Sequence, residues 1–161
     1  KQKTAYEIMP SLVGSEMCIR DSYIPVPFGL AGHSDGDVGL HAIIDALLGA
    51  SGMGDIGTLF PPDDPQYANV DSKELLVKVK QRLEEKHWQV VNVDLIIHAQ
   101  QPRLEPFKGQ MKRCIAELLG IDFTAVNIKA KTNEGLGEIG AGQAIAATAI
   151  ALLRKKIKRT L

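Results

Sequence analysis

Apolar residues follow two different periods along this chain, and that alternation limits the folds open to it. Helical spacing and cap residues mark some stretches, while short or alternating apolar runs mark others. The predicted helices cover about residues 38–51, a stretch after Asp71, 105–119 and an alanine-rich 142–157, and the predicted strands cover 23–28, 90–99 and 125–131. Strands that alternate with helices predict an α/β or α+β fold whose helices cover one face of a sheet.

Composition restricts the kind of protein and its partners. A chain of 161 residues with 45% hydrophobic and 24% charged residues suits one domain with a real core. With 19 basic and 19 acidic residues the net charge is zero, so we expect neither nucleic acid nor a membrane surface as partner, and any anion must be held locally. The chain lacks an apolar run of about 18 residues and a signal-peptide block, which favours the cytoplasm or a plastid.

Residues 1–22 differ from the rest of the chain. They follow neither a helical nor a strand period, and SLVGSEMCIRDS resembles translated sequencing-adapter read-through. We therefore expect a non-native N-terminal segment at 1–22 and one domain at 23–161.

The densest group of chemically active residues is GHSDGDVGLH, at positions 32–41. His41 falls on the first turn of a predicted helix, four residues after Asp37, so the two side chains can share one face. Imidazole is a common zinc ligand, and the neighbouring His33 and Ser34 favour a metal and phosphate site. The alternatives are a structural histidine and aspartates that only cap the helix.

Two further segments carry candidate site residues. Asp55-Ile56-Gly57 and the proline-stiffened loop after it present carboxylates that could hold sugar hydroxyls or magnesium, or could form a solvated turn. Gly135 to Gly140 read GLGEIG, which matches the dinucleotide pattern GxGxxG. The second strand of a dinucleotide fold is missing, so we predict only an anion site there, near a helix that begins at about Gly142.

Several blocks identify one family by their order and spacing: GHSDGDVGLHAIIDALLGASGMGDIGTLFPPDDP, DSKELL, IIHAQQPRLEP, IKAKTNEGLGEIG and AIAATAIALL. Over about residues 23–153 the chain resembles the 2-C-methyl-D-erythritol 2,4-cyclodiphosphate synthases of non-mevalonate isoprenoid synthesis. The resemblance implies an α+β homotrimer with active sites at subunit interfaces. It also implies conversion of 4-diphosphocytidyl-2-C-methyl-D-erythritol 2-phosphate to the cyclic diphosphate, with release of CMP.

The resemblance also implies roles for individual residues. His33 and Thr132 would stabilise the transition state, and Ser34 would bind phosphate with His33. Asp55 and Gly57 would bind the methylerythritol part. The remaining implied substrate contacts are Ile56, Phe60, Pro61, Pro62, Asp63 and Asp64 in the loop, Ala99, Gln100, Gln101, Pro102, Arg103, Leu104 and Glu105 around cytidine, and Lys131, Asn133 and Glu134 near the diphosphate. Two more are Glu138, where the family often has an aromatic residue at the central cavity of the trimer, and Ala141, where it often has an arginine after the glycine loop.

The implied cofactors are divalent metals. Zinc or manganese would bind His41, and magnesium would bind Glu134 together with the substrate diphosphate. The family takes two more zinc ligands from an Asp-x-His element, which this chain lacks; the spacing leads instead to Glu7 and Met9. Glutamate can bind zinc, whereas a thioether is a poor zinc ligand.

Two other classes of protein remain as alternatives. The missing Asp-x-His element favours a non-catalytic trimeric homologue with an incomplete zinc site. The glycine loop alone favours a dinucleotide-dependent oxidoreductase, which would bind a nicotinamide cofactor.

Overall fold

A mixed three-stranded sheet and a layer of helices make up the described part of the chain. The computed structural model describes residues 37–67 and 70–156, so the strand predicted at 23–28 lies outside it. The helices are α1 (Val38–Ser51), α2 (Ile56–Leu59), α3 (Ser72–Glu85), α4 (Lys108–Leu119) and α5 (Gly137–Gly140), and the strands are β1 (Trp88–His98), β2 (Val126–Lys131) and β3 (Ala146–Lys155). Among the described helices, none combines the length and apolar character that a membrane crossing requires.

Helices α1 and α3 both begin at an aspartate whose side chain satisfies a backbone N–H group. Asp37 caps α1 by accepting from the Leu40 N–H at 2.9 Å, and α1 ends at Gly52 in the left-handed conformation. Asp71 caps α3 through the Lys73 N–H at 2.8 Å. These helices bury their apolar stripes together, including Leu76 and Val79 of α3, which confirms the predicted helices after residue 37 and after Asp71.

Strand β1 lies in the middle of the sheet, parallel to β2 and antiparallel to β3. Side chains alternate along it, so that Val93, Leu95 and Ile97 are buried in the core. The opposite face, which we call the open face, carries Asp94 and, opposite it on β3, Ile150, which is 68% exposed. The result is an α+β fold with one apolar sheet face in the core.

The alanine-rich helix predicted at 142–157 is wrong, because residues 146–155 form strand β3. Burial along β3 alternates strictly, with Ala147, Ala149, Ala151 and Leu153 against the core and the residues between them exposed. Alanine favours helices intrinsically, but pairing with ten positions of β1 overrides that weak preference. The helix N-terminus expected near Gly142 is therefore absent from the described residues, and Gly142 lies in a turn with φ of 72°.

The proline-rich stretch after residue 54 is more regular than the predicted loop. Asp55 begins the short helix α2, and residues 65–67 form a 3-10 turn. The helix predicted at 105–119 is confirmed as a 3-10 turn at 105–107 that continues into α4, which ends at Gly120.

Candidate functional site

The described residues hold most of the predicted site, in two groups. His33, Ser34 and Glu7 lie outside them, so their predicted roles stay predictions. The helical group comprises His41, Asp45, Asp55 to Gly57 and Ser72. The strand-end group comprises Ala99 to Glu105 and Lys131 to Glu134, which follow strands β1 and β2.

His41 is the half-buried histidine of the helical group. Its place on the first turn of α1 is as predicted, and its Nε2 atom lies 2.9 Å from the hydroxyl oxygen of Ser72, a fully buried residue at the start of α3. The nearby Asp37 is 1% exposed, and its Oδ1 atom caps the same helix. Asp37 therefore caps the helix, and the Ser72 contact orients the His41 imidazole in the way that a metal ligand needs.

Asp55 and its neighbours are fixed against α1. The Asp55 Oδ1 atom accepts from the Thr58 N–H at 2.7 Å, and this backbone bond, with one from the Thr58 side chain, holds the pKa of Asp55 below its usual value. The Ile56 N–H donates to the Asp45 Oδ1 atom at 2.8 Å. Asp45 was missed at the sequence level, although its position four residues after His41 places both on one helix face. The Asp55 carboxylate is thus held at the start of α2, where its oxygens can accept a hydrogen bond from a hydroxyl group.

Of the substrate contacts predicted in the loop after α2, some are buried in the core and others are exposed to solvent. The Phe60 side chain is buried and meets the Tyr67 ring edge to face, with centroids 5.2 Å apart. Pro62 and Asp63 are exposed. Asp64 accepts from the Gln66 N–H at 3.0 Å and so stabilises the 3-10 turn. Phe60 could therefore contact a substrate only through its backbone.

The strand-end group forms because β1 and β2 run parallel and end at the same edge of the sheet. His98 and Lys131 pair in register, and the Ala99 N–H donates to the Lys131 carbonyl at 2.9 Å, which extends the ladder past β1. The Gln101–Pro102 peptide bond is cis. The ladder thus brings together the segments predicted to bind cytidine and diphosphate.

Side chains in the first segment of this group point in different directions. Ala99 and Leu104 are buried, whereas Gln101, Arg103 and Glu105 are exposed. The Oε1 atom of Gln100 is buried and accepts no hydrogen bond from the described part of the chain. A buried acceptor without a donor is costly, so this atom is suited to a donor from a ligand.

The second segment is exposed and has an unusual backbone. Lys131, Thr132 and Glu134 are exposed, and Glu134 has a φ of 51°, a left-handed conformation that is rare outside glycine. The Oδ1 atom of Asn133 lies 3.4 Å from the Nδ1 atom of His98. Sequence patterns assigned His98 only a strand role, since its partner lies 35 positions away.

The backbone conformation of the glycine loop explains why glycine occupies these positions. Gly135 and Gly137 have φ values of 83° and 64°, and a Cβ atom on Gly140 would lie 2.2 Å from the carbonyl carbon of Gly135. A dinucleotide fingerprint opens a long helix, whereas here four helical residues and then strand β3 follow. The dinucleotide alternative is therefore wrong. Glu138 within this loop and Ala141 directly after it are both exposed.

The predicted metal ligands belong to different groups. His41 is in the helical group and Glu134 is in the strand-end group, and no cluster of three His, Cys, Asp or Glu side chains occurs within residues 37–67 and 70–156. Zinc in a catalytic site normally has three protein ligands. His41, held by Ser72, fits one of them.

Comparisons with known proteins agree on one family. The profile of the YgbB family matches residues 5–154. The 2-C-methyl-D-erythritol 2,4-cyclodiphosphate synthase of Bordetella petrii is 48% identical over 150 residues, which is 93% of each chain.

Solved structures give the same result. The bifunctional IspDF of Campylobacter jejuni is 39% identical with a TM-score of 0.80, and the match covers 84% of this chain and 37% of that longer chain. IspF of Plasmodium falciparum in its CDP complex is 35% identical with a TM-score of 0.72, over 81% of this chain and 78% of that one. On the strength of its own two site groups and these matches, the chain belongs to the YgbB family.

Proposed function

We propose that this chain is a 2-C-methyl-D-erythritol 2,4-cyclodiphosphate synthase. It converts 4-diphosphocytidyl-2-C-methyl-D-erythritol 2-phosphate to the cyclic diphosphate and releases CMP. The observation that carries the proposal is the 48% identity to the Bordetella petrii synthase over 93% of both chains. The non-catalytic alternative is not favoured, since the relatives along the whole chain are named as synthases.

The strand-end group is the proposed nucleotide site. Its support is the ladder bond between Ala99 and Lys131, the buried acceptor on Gln100, and the CDP complex of the Plasmodium falciparum relative. Backbone groups of the segment 99–105 would hold cytosine and ribose, because the Ala99 and Leu104 side chains are buried in the core. Lys131 and Thr132 would donate to the diphosphate.

The helical group is the proposed metal and methylerythritol site. Asp55 would accept a hydroxyl of the methylerythritol part, and His41 would bind zinc or manganese. Bound there, the metal supplies a Lewis acid for the attacked phosphate. Glu134 would bind the magnesium that neutralises the diphosphate charge. The further zinc ligands would come from outside the described residues, where Glu7 is one candidate.

The reaction needs no protein nucleophile. An oxygen of the 2-phosphate attacks the β-phosphorus, and the bond from that phosphorus to the oxygen shared with the α-phosphate breaks, so CMP leaves with the bonding electrons. Because both reacting groups belong to one molecule, the protein acts by positioning them and stabilising charge. Thr132, with His33, would donate to the charge that develops on the phosphoryl oxygens.

A homotrimer fits the open face of the sheet. Ile150 is 68% exposed and Leu152 is 57% exposed on this face, so contact with other copies would remove both from water. Such an assembly would let the helical group of one copy meet the strand-end group of another, giving interfacial active sites. Light scattering should give three times the mass of one chain; a monomer at micromolar concentration would contradict this arrangement.

Calorimetry with CDP tests the nucleotide site. We expect CDP to bind in the presence of magnesium, with uridine diphosphate as the matched control binding more weakly because its base presents a carbonyl where cytosine has an amino donor. Equal affinity for the two would show that this site does not distinguish cytosine from uracil. Failure of CDP to bind at millimolar concentration would remove the proposed function.

A further inference from the structure

Ser72 is the only fully buried serine among the described residues, and it faces His41. It occupies the first position of α3 with 0% exposure, and its Oγ atom lies 2.9 Å from the Nε2 atom of His41 on α1. The two residues are 31 positions apart. This contact is therefore a polar link between two helices whose apolar side chains belong to the same core cluster.

Capping of α3 does not explain the serine. Asp71 already occupies the cap position, where its Oδ1 atom accepts from the Lys73 N–H at 2.8 Å and its carbonyl accepts from the Glu74 N–H at 2.9 Å. Burial of a hydroxyl costs free energy unless it is hydrogen-bonded. The hydrogen bond to the His41 imidazole compensates that cost, which gives a physical reason for a serine at this buried position.

The bond also bears on which ring nitrogen of His41 can act as a ligand. In neutral imidazole one nitrogen carries the proton and the other a lone pair. When the Nε2–H donates to the serine hydroxyl, the lone pair is on Nδ1. Histidines that bind metals almost always donate their other N–H group to a fixed acceptor, which sets both the tautomer and the ring orientation.

We infer that Ser72 is a positioning residue for His41: its hydroxyl accepts from Nε2–H and so makes Nδ1 the metal-binding nitrogen. The inference deepens the proposed function, because it rests on His41 as a metal ligand. The helical group thus extends to α3, and the geometry of its imidazole depends on how α1 and α3 pack together.

Nitrogen-15 NMR of the full, metal-free chain tests this directly, through the two-bond couplings of the His41 ring. We expect the Nε2–H tautomer in the unmodified chain and a mixture of tautomers in Ser72→Ala. Ser51→Ala is the matched control, because Ser51 lies on α1 with His41 but its hydroxyl donates to the Leu47 and Leu48 carbonyls, at 2.9 Å and 3.0 Å. Ser72→Thr, which keeps the hydroxyl, should restore the Nε2–H tautomer.

Zinc titration in the same spectra gives the second readout. Zinc added in excess, as weak binding by a chain without a three-ligand cluster at residues 37–67 and 70–156 requires, should shift the Nδ1 resonance of His41, and Ser72→Ala should weaken zinc binding about 10- to 100-fold. An Nδ1–H tautomer in the unmodified chain, or a zinc-induced shift at Nε2, would overturn the inference even if Ser72→Ala fails to fold. The expected tautomer in a chain that fails to bind CDP would support the inference and count against the proposed function alone.

Discussion

The two groups of the candidate site are held by different kinds of bond. In the helical group, each bond involves at least one side chain: Ser72 contacts the His41 imidazole, and the Asp45 carboxylate accepts from the Ile56 backbone N–H. In the strand-end group, the backbone does most of this work, through the bond between Ala99 and Lys131 and through left-handed residues such as Glu134.

This difference matches what each group is proposed to bind. A metal needs a lone pair aimed at it, and a hydrogen bond at the other ring nitrogen fixes the tautomer and orientation of an imidazole for that purpose. A nucleotide diphosphate can be held by backbone groups whose positions the sheet already fixes. Side-chain substitutions should therefore damage the helical group most, and backbone changes should damage the strand-end group most.

The largest expected effect is that of His41→Ala. Loss of a metal ligand removes several kcal/mol of charge stabilisation, or about a thousandfold in turnover. The measurement is the rate of CMP release by a variant in which a family-like strand with Asp-x-His replaces residues 1–22. His87→Ala, at an exposed histidine after α3, is the control and should keep full activity. A trimer with near-normal turnover after His41→Ala would show that this imidazole is not a ligand.

Gly140→Ala tests the strand-end group through its backbone. The new Cβ atom would lie 2.2 Å from the Gly135 carbonyl carbon, so the loop after β2 must move. A displacement of about 1 Å can cost about 100-fold in rate, and we expect weaker CDP binding in calorimetry as well. Zinc binding should be unchanged.

Gly109→Ala provides the matched control for that loop. Nothing lies within 4 Å of a Cβ atom at Gly109, which is in helix α4. Alanine there should stabilise the chain by about 0.5–1 kcal/mol. CDP affinity equal in the two glycine variants would contradict the backbone account of the strand-end group.

Asp45→Ala should have an intermediate effect. It leaves the Ile56 N–H without its acceptor and loosens the start of α2 next to Asp55. Loss of one hydrogen bond of this kind costs about 1 kcal/mol, so we expect KM for the substrate to rise about fivefold while kcat changes little. A fall in kcat with KM unchanged would instead place Asp45 in the chemical step.

The smallest effect concerns the open face of the sheet. A side-chain hydrogen bond from Lys129 holds the pKa of Asp94 below its ordinary value of 3.8. A lowered folded-state pKa means that Asp94 stabilises the fold above pH 3.8 and that this contribution is lost as pH falls through the lower folded value.

Thermal unfolding across that pH range tests the pair. Asp94→Asn should lower stability by about 0.2–1 kcal/mol at pH 7, and the difference from the unmodified chain should shrink as pH falls to 3. Lys129→Met should behave in the same way. A difference that is constant with pH would show that the ion pair is not its cause.

Local sequence signals predicted the elements that have a clear apolar spacing and residues that end them. Helix α1 was predicted at about Val38 to Ser51 because apolar residues recur there at helical spacing and Gly52 follows, and the structure ends the helix at that glycine. Strand β3 was mistaken for a helix because alternation between alanine and slightly larger residues gives little contrast in hydrophobicity. Pairing with β1, a long-range interaction, decides that segment.

Local signals likewise identified some residues of the candidate site and missed others. His41 and the segment 131–134 were recognisable from residue types in sequence order. Ser72, Asp45 and His98 were not, because their partners lie 31, 11 and 35 positions away and only tertiary packing brings them together. Such partners cannot be deduced from spacing along one chain.

Phosphorus-31 NMR of the reaction, with zinc content measured on the same samples, tests the central claim most directly. We expect the unmodified chain to hold little zinc and to form cyclic diphosphate and CMP slowly, because residues 37–67 and 70–156 contain no cluster of three zinc ligands around His41. Replacement of residues 1–22 by a strand bearing Asp-x-His should restore stoichiometric zinc and full turnover. Full turnover with stoichiometric zinc in the unmodified chain would contradict the account of the N-terminal segment, and absence of the cyclic product from both would contradict the proposed function.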